Sequence, residues 1–299
     1  MTNYRFRSGL AVLVAVLAGL AGLAAPALAR GVVRSPALTP GSTYLALGDS
    51  VTFGYVEQQV VPTPNYHDAG SFLGYPEHIA RQLKVHVVNA SCPGETTGSF
   101  IEATAQSNGC ENAPGSSVGY RTAYPLHVSY KGSQLAFALH YLRTHHDVRL
   151  VSLMIGANDL FVCQETTKDH CVSPSEQAAV LSEISHNVRK IVAAIRRQAH
   201  YRGQFAIVNY YSLDYASATD DAVSQALNRA QDSGARPFGV EIANGYGEFE
   251  AASRIFGGDV CVAGLITSWG NPRCPTSDVH PSYSGQALLA AALLKAIRL

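Results

Sequence analysis

Neither sign of charge predominates in this chain. Its 299 residues carry 22 Lys+Arg and 22 Asp+Glu, so no basic surplus points to nucleic acid or to an acidic membrane surface. There is no C-x-x-C pair, and no histidine stands at ligand spacing beside two cysteines. The signature of a metal site is therefore missing, and no metal or other cofactor is expected. Beyond the N-terminal segment there is no internal repeat and no low-complexity tract. What is abundant is apolar: 47% of the residues are hydrophobic, enough for the core of one large domain.

The N-terminal segment stands apart. Arg5 and Arg7 precede an uncharged run over residues 9–28, which closes on Ala27-Leu28-Ala29, a small-x-small cleavage triplet. That is the pattern of a secretory signal peptide. The run is just long enough to span a bilayer, but its Ala/Gly bias, Pro26 and the triplet predict removal. Residues 1–29 are thus expected to be a signal peptide, 30–42 a linker and 43–299 a single domain, secreted and without stable membrane insertion once cleaved. Six cysteines fit an exported protein. They fall in three sequential pairs, Cys92 with Cys110, Cys163 with Cys171, and Cys261 with Cys274. Adjacent pairing is the simplest because each pair brackets one loop, although spacing alone leaves other connectivities open.

Along the domain, short apolar runs alternate with helical patterns. Strands are expected over 44–47, 84–89, 148–155, 204–210 and 237–242. Helices are expected over 75–83, 133–145, 175–199, 220–232, 245–256 and 282–298. Residues 56–71, 91–130 and 163–174 read as loops. The second is long, and loops of that length in a domain tend to be functional, which makes it a candidate wall of the site. Strand–helix alternation implies an α/β protein with a doubly wound parallel sheet.

Three strand ends carry polar groups suited to chemistry. Gly48-Asp49-Ser50 follows the first strand. Asn89-Ala-Ser-Cys-Pro-Gly94-Glu-Thr-Thr97 follows the second, and Gly156-Ala-Asn158-Asp159 the third. In a parallel sheet these ends share one edge, where ligands bind. Ser277-Asp278-Val-His280-Pro281 precedes the last helix. The set fits acyl transfer. A serine hydroxyl needs a base to take its proton, and a neutral imidazole, here His280, accepts one near pH 7. The oxyanion of the tetrahedral intermediate needs preorganised donors. The Ser50 N–H, the Gly94 N–H and the Asn158 amide are candidates.

These four blocks, in this order, resemble those of the SGNH (GDSL-type) hydrolases. The cysteine layout and Ser-Cys-Pro-Gly-Glu-Thr resemble the secreted lipase and esterase branch. The resemblance implies a three-layer α/β sandwich with flavodoxin-like strand order. It implies metal-free, cofactor-free hydrolysis of carboxylic esters, with small-molecule or lipid esters as substrates. Ser50 would be the nucleophile and His280 the base, with Ser50, Gly94 and Asn158 forming the oxyanion hole. The protein is expected to be a monomer. Carbohydrate O-deacetylation is an alternative on the same fold, and a non-catalytic extracellular binding protein is an alternative outside enzymes. The family spacing is Asp-x-x-His, whereas here Ser277 stands three residues before His280 and Asp278 only two before. Either Asp278 or a backbone carbonyl near Ser277 orients the imidazole.

Two further motifs carry less. Gly115-Ser-Ser117-Val-Gly119 matches G-x-S-x-G, but that elbow needs a strand before it and a helix after it, and the flanking residues supply neither. Asn89-Ala-Ser91 is a glycosylation sequon at a strand end beside the proposed site, where occupancy is not expected.

Overall fold

The structure, a computed structural model, describes residues 35–268 and 277–299. Its central strand is β1 (Thr43–Gly48), buried at every position. A strand covered on both faces reads as an unbroken apolar run, which is what residues 44–47 supply. The chain continues through α1 (Ser50–Phe53), α2 (Tyr75–Leu83), β2 (His86–Asn89), α3 (Thr97–Ile101), α4 (Tyr120–Ala123) and α5 (Gln134–Thr144). Next come β3 (Val148–Met154), α6 (Ala157–Thr166), α7 (Pro174–Arg197), β4 (Gln204–Val208), α8 (Ala218–Ala235), β5 (Glu241–Ala243) and α9 (Gly245–Ser253). The last elements are β6 (Ile266–Ser268), β7 (Ser277–Pro281) and α10 (Tyr283–Ala296).

Five strands pair in the order β2-β1-β3-β4-β5, every pair parallel, with Leu45 opposite Val88 on one side and Val151 on the other. This is the flavodoxin-like order, doubly wound as expected. The helices sort into two groups that pack among themselves. One comprises α3, α5, α6, α7 and α8, the other α2, α9 and α10. The apolar stripe of α7 explains its place: Ile184, Val188, Ile191, Val192 and Ile195 recur at helical spacing and are all buried.

Several elements differ from the sequence expectation. Residues 163–166, read as the start of a loop, are the last turn of α6. Residues 236–238 form a 3-10 turn instead of a strand, and β5 begins only at Glu241. Pro237 explains this, since it lacks the N–H that a ladder needs but suits the first turn of a helix. The long segment 91–130 carries two short helices, α3 and α4. Residues 277–281, read as the approach to the last helix, form β7, antiparallel to β6. Two strands this short show no readable period.

Cys92–Cys110 and Cys163–Cys171 are disulfides, as adjacent pairing requires. The third expected pair involves Cys274, which lies outside the described residues, as does the expected signal peptide. Within the segment read as a linker, Leu38 is buried and its N–H donates to the Arg298 carbonyl at 3.0 Å. Among the described residues, no helix is long and apolar enough to cross a membrane.

Candidate active site

The carboxyl ends of β1, β2 and β3 lie on one edge of the sheet, and each is followed by one of the anticipated blocks. Ser50, Gly94 and Asn158 all line a single cavity of about 750 Å³, and Asp278 and His280 line it too. The five residues are scattered over 230 positions of sequence, and topology brings them together.

The turn that carries Ser50 is fixed from several directions. Gly48 has φ +142°, and a Cβ there would lie 2.1 Å from the Met154 carbonyl oxygen, so only glycine fits. The Gln134 amide pairs with the Gly48 backbone in both senses, accepting its N–H at 2.7 Å and donating to its carbonyl at 3.0 Å. The fully buried Asp49 caps α1 by accepting the Val51 N–H at 3.0 Å. Its second oxygen accepts the Tyr210 hydroxyl and faces the Asn158 amide at 3.5 Å. Burial pushes the Asp49 carboxyl up to about 6, against the pull of the Tyr210 hydrogen bond. From α10, Gln286 accepts the Tyr75 N–H at 2.8 Å and donates to the Val51 carbonyl at 3.0 Å, tying the last helix to α1 and α2.

The second strand end is equally constrained. Gly94 has φ +82°, and a Cβ there would come within 2.5 Å of the Asn108 carbonyl oxygen. The Asn108 N–H donates to the Gly94 carbonyl at 2.7 Å, and the Cys92–Cys110 bridge joins the same two segments. Next in sequence, Glu95 is fully buried, accepting from the Ser99 hydroxyl and from Gln134 Nε2 at 3.0 Å. Burial, with the Glu111 charge added, holds its carboxyl well above the usual range.

The Asn158 amide is locked in one orientation. Its Oδ1 accepts from Asn108 Nδ2 at 3.0 Å, and its Nδ2 donates to the Glu95 carbonyl at 3.1 Å. Asp159 does not line the cavity. It accepts from the Thr97 N–H at 2.9 Å and from the Thr97 hydroxyl, joining α6 to α3. Burial raises its carboxyl to about 7.

His280 is positioned differently, on the β6–β7 ribbon. Its Nδ1–H donates to Asp278 Oδ1 at 2.7 Å. The Asp278 carboxylate also accepts from the Val279 N–H at 2.7 Å and from the Thr267 hydroxyl at 2.7 Å. Burial pushes the Asp278 carboxyl upward, but the hydrogen bond and charge of His280, with those two donors, outweigh it and hold the group below the usual range. Of the two orienting groups left open by the sequence, the Asp278 carboxylate is the one that meets the imidazole. The shortened spacing works because Asp278 and His280 lie two apart on a strand and so face the same side. The Tyr55 ring packs edge-on against the imidazole, centroids 4.8 Å apart.

Four contributors were not anticipated. Gln134, Tyr210 and Gln286 act through buried hydrogen bonds that no local pattern announces. Glu57 places a carboxylate oxygen within 4.8 Å of a His280 ring nitrogen and of an Asp278 oxygen. These three could be taken for cation ligands, but Asp278 is already committed to the imidazole, Val279 and Thr267. The two weaker motifs behave as expected. Ser117 is exposed and lies on no strand–helix turn. Asn89 is buried and its Nδ2 donates to the Thr52 carbonyl at 2.9 Å and to Glu77 at 3.0 Å, which leaves no nitrogen for a glycan.

The model of the GDSL-like lipase/acylhydrolase family matches residues 46–288, and the chain belongs to that family. It is, by that membership, a carboxylic ester hydrolase. The fold is shared with solved structures at low identity. A putative GDSL-like lipase from Parabacteroides merdae is 14% identical, with TM-score 0.51, over 87% of this chain and 96% of that one. An acetylxylan esterase from Geobacillus stearothermophilus is 16% identical, with TM-score 0.51, over 86% and 94%. No curated protein matches the chain in sequence.

Proposed function

We propose that this protein is an exported serine esterase that cleaves esters of apolar acyl chains longer than acetyl, through an acyl-enzyme on Ser50. The observation that carries the reading is the convergence of Ser50, Gly94, Asn158, Asp278 and His280 on one cavity. Ser50 Oγ attacks the ester carbonyl while His280 Nε2 takes its proton, and Asp278 holds the tautomer that permits this. The oxyanion is met by Asn158 Nδ2 and by the N–H groups of Gly94 and Ser50. Ser50 opens α1, where an N–H has no intrahelical partner. The imidazolium then protonates the departing alcohol. Water, deprotonated by His280, hydrolyses the acyl-enzyme and restores Ser50.

The acyl preference rests on the wall formed by α6 and α8. Leu160, Phe161, Val223 and Leu227 line the cavity there. A recess of about 140 Å³ continues it, adding Leu181, Ala222 and Ala226. Val172, Leu213 and Val223 expose apolar surface at the rim. Such a surface stabilises methylene groups; Gln164 on α6 and Thr219, Asp220 and Ser224 on α8 line the cavity beside it. Export is supported by Arg5 and Arg7 ahead of the uncharged run, by Ala27-Leu28-Ala29, and by two disulfides.

The test is a panel of p-nitrophenyl esters from acetate to palmitate, with Ser50→Ala as control. kcat/KM should climb by about fourfold per methylene over the first few carbons, the equivalent of ~0.8 kcal/mol per buried CH₂. A panel in which acetate is the best substrate would replace this reading with O-deacetylation. N-terminal sequencing of the exported protein should begin at Arg30.

A further inference from the structure

We propose that Glu57 forms the alcohol subsite of this cleft and favours esters whose leaving alcohol carries a positive charge over those whose alcohol is neutral or anionic. The inference rests on the esterase reading above and adds the other half of the substrate. In acyl transfer the leaving oxygen takes its proton from the imidazolium, so whatever stands beside His280 stands beside the departing alcohol.

Glu57 is that neighbour, with a carboxylate oxygen within 4.8 Å of a His280 ring nitrogen. Tyr55 links the two: its ring packs on the imidazole, and its hydroxyl donates to Glu57 Oε2 at a long 3.4 Å. Of the other carboxylates of the cavity, Asp220 belongs to α8, and Asp49 and Asp278 are differently employed. Asp49 is capped by Val51 and Tyr210, and Asp278 is held by His280, Thr267 and Val279. Glu57 is half-buried and faces the cavity with acceptor capacity to spare. Burial, and then the Asp278 charge, push its carboxyl upward, while His280 opposes them. The same residue would gain from a cation in the subsite.

The charges around the cavity point the same way. Asp49, Glu57, Asp220 and Asp278 line it, and no lysine or arginine does among the described residues. An anionic alcohol would meet carboxylates, with no lysine or arginine lining the cavity among the described residues to answer it. A cationic alcohol would find Glu57 for its charge, with the aromatic side chains Tyr55 and Tyr120 lining the same space.

The experiment compares three butyrate esters at pH 8: butyrylcholine, its neutral isostere 3,3-dimethylbutyl butyrate, and 3-sulfopropyl butyrate. For the native protein, kcat/KM should fall from cation to neutral to anion, by on the order of tenfold per step, as Coulomb's law gives for unit charges some 5 Å apart in a half-wet cleft. Glu57→Gln should remove the steps, and Glu57→Lys should reverse their order. Labelling of each variant by a fluorophosphonate establishes that Ser50 and His280 are still assembled. Equal rates for the three esters with the native protein would overturn the subsite, and so would a ratio unchanged in labelled Glu57→Gln. Neither result touches the esterase reading, which falls only if p-nitrophenyl esters are not hydrolysed either.

Discussion

The two sides of the cleft are held by different kinds of bond. Ser50, Gly94 and Asn158 hang from the edge of the main sheet, where tight backbone geometry and several buried side chains place them. Gly48 and Gly94 occupy positions that no other residue fits, and their neighbours are carbonyl oxygens of adjacent strands and loops. His280 hangs from a two-stranded ribbon beside that sheet, and a side chain, Asp278, places it. The charge states differ in the same sense. Burial raises the carboxyls of Asp49, Glu95 and Asp159 on the sheet-edge side, whereas hydrogen bonds lower that of Asp278 on the ribbon side. One side is rigid because little can move. The other is held by a pair of side chains that substitution can tune without disturbing the sheet.

The largest effect should come from the rigid side. Ser50→Ala should lower kcat by about 10⁶, as when other serine hydrolases lose their nucleophile. Ser117→Ala, in the exposed Gly-x-Ser-x-Gly loop, should leave activity as it is. Full activity in Ser50→Ala would end the assignment of the sheet edge as the seat of the nucleophile. On the ribbon, Asp278→Asn should cost up to about 10⁴ in kcat, because the amide favours the wrong imidazole tautomer. With the fold verified by circular dichroism, a loss below about tenfold would mean that the carboxylate contact at 2.7 Å is not what orients the base. Asn158→Ala should be milder, losing roughly 10²–10³ in kcat with little change in KM, since an oxyanion donor acts mainly in the transition state. A rise in KM alone would move Asn158 from the oxyanion hole to substrate binding.

The smallest expected effect is on stability. Asp49 and Asp159 stand at about 6 and about 7 in the folded protein, against an ordinary 3.8. The folded state therefore keeps protons that the unfolded chain has already lost. Their contribution is complete below about pH 4 and is lost as pH rises through 6 and 7. Asp278 works in the opposite direction, adding stability above the ordinary carboxyl range and losing it on acidification below. Thermal denaturation should show a midpoint that falls from pH 5 to pH 8, by roughly 2–4 °C for each kcal/mol of stability lost. Asp159→Asn should flatten that slope. An identical slope in the variant would show that the raised carboxyls of the sheet edge do not govern the pH response.

What was legible in the sequence follows the same division. The parallel sheet and the convergence of Ser50, Gly94 and Asn158 could be anticipated because each block sits at the end of an apolar run, and parallel strands put such ends on one edge; the strand order was implied only by the resemblance to the SGNH hydrolases. The pairs Cys92–Cys110 and Cys163–Cys171 agree with adjacent pairing, the simplest of the connectivities that spacing left open. The ribbon was not legible. Strands of three and five residues leave no period, so the reason that Asp278 reaches His280 from two residues away appeared only with β7. Nor could Gln134, Tyr210 or Gln286 be picked out, since each acts across 86 to 235 positions of sequence through one buried side chain. Glu57 sits in a stretch with two prolines and no pattern, and only the fold puts it against the base.

The bond from Gln286 to the Val51 carbonyl also has a consequence in time. A chain made from its N-terminus presents Ser50 early, just after β1, with the rest of the sheet to follow. His280 and the helix that clamps the serine turn emerge some 230 residues later. Until then the serine has neither its base nor the amide that ties α1 to α10, and its hydroxyl is as unreactive as any other. A half-made chain is thus a silent hydrolase, and the capacity to cut esters arrives only when the final helix docks.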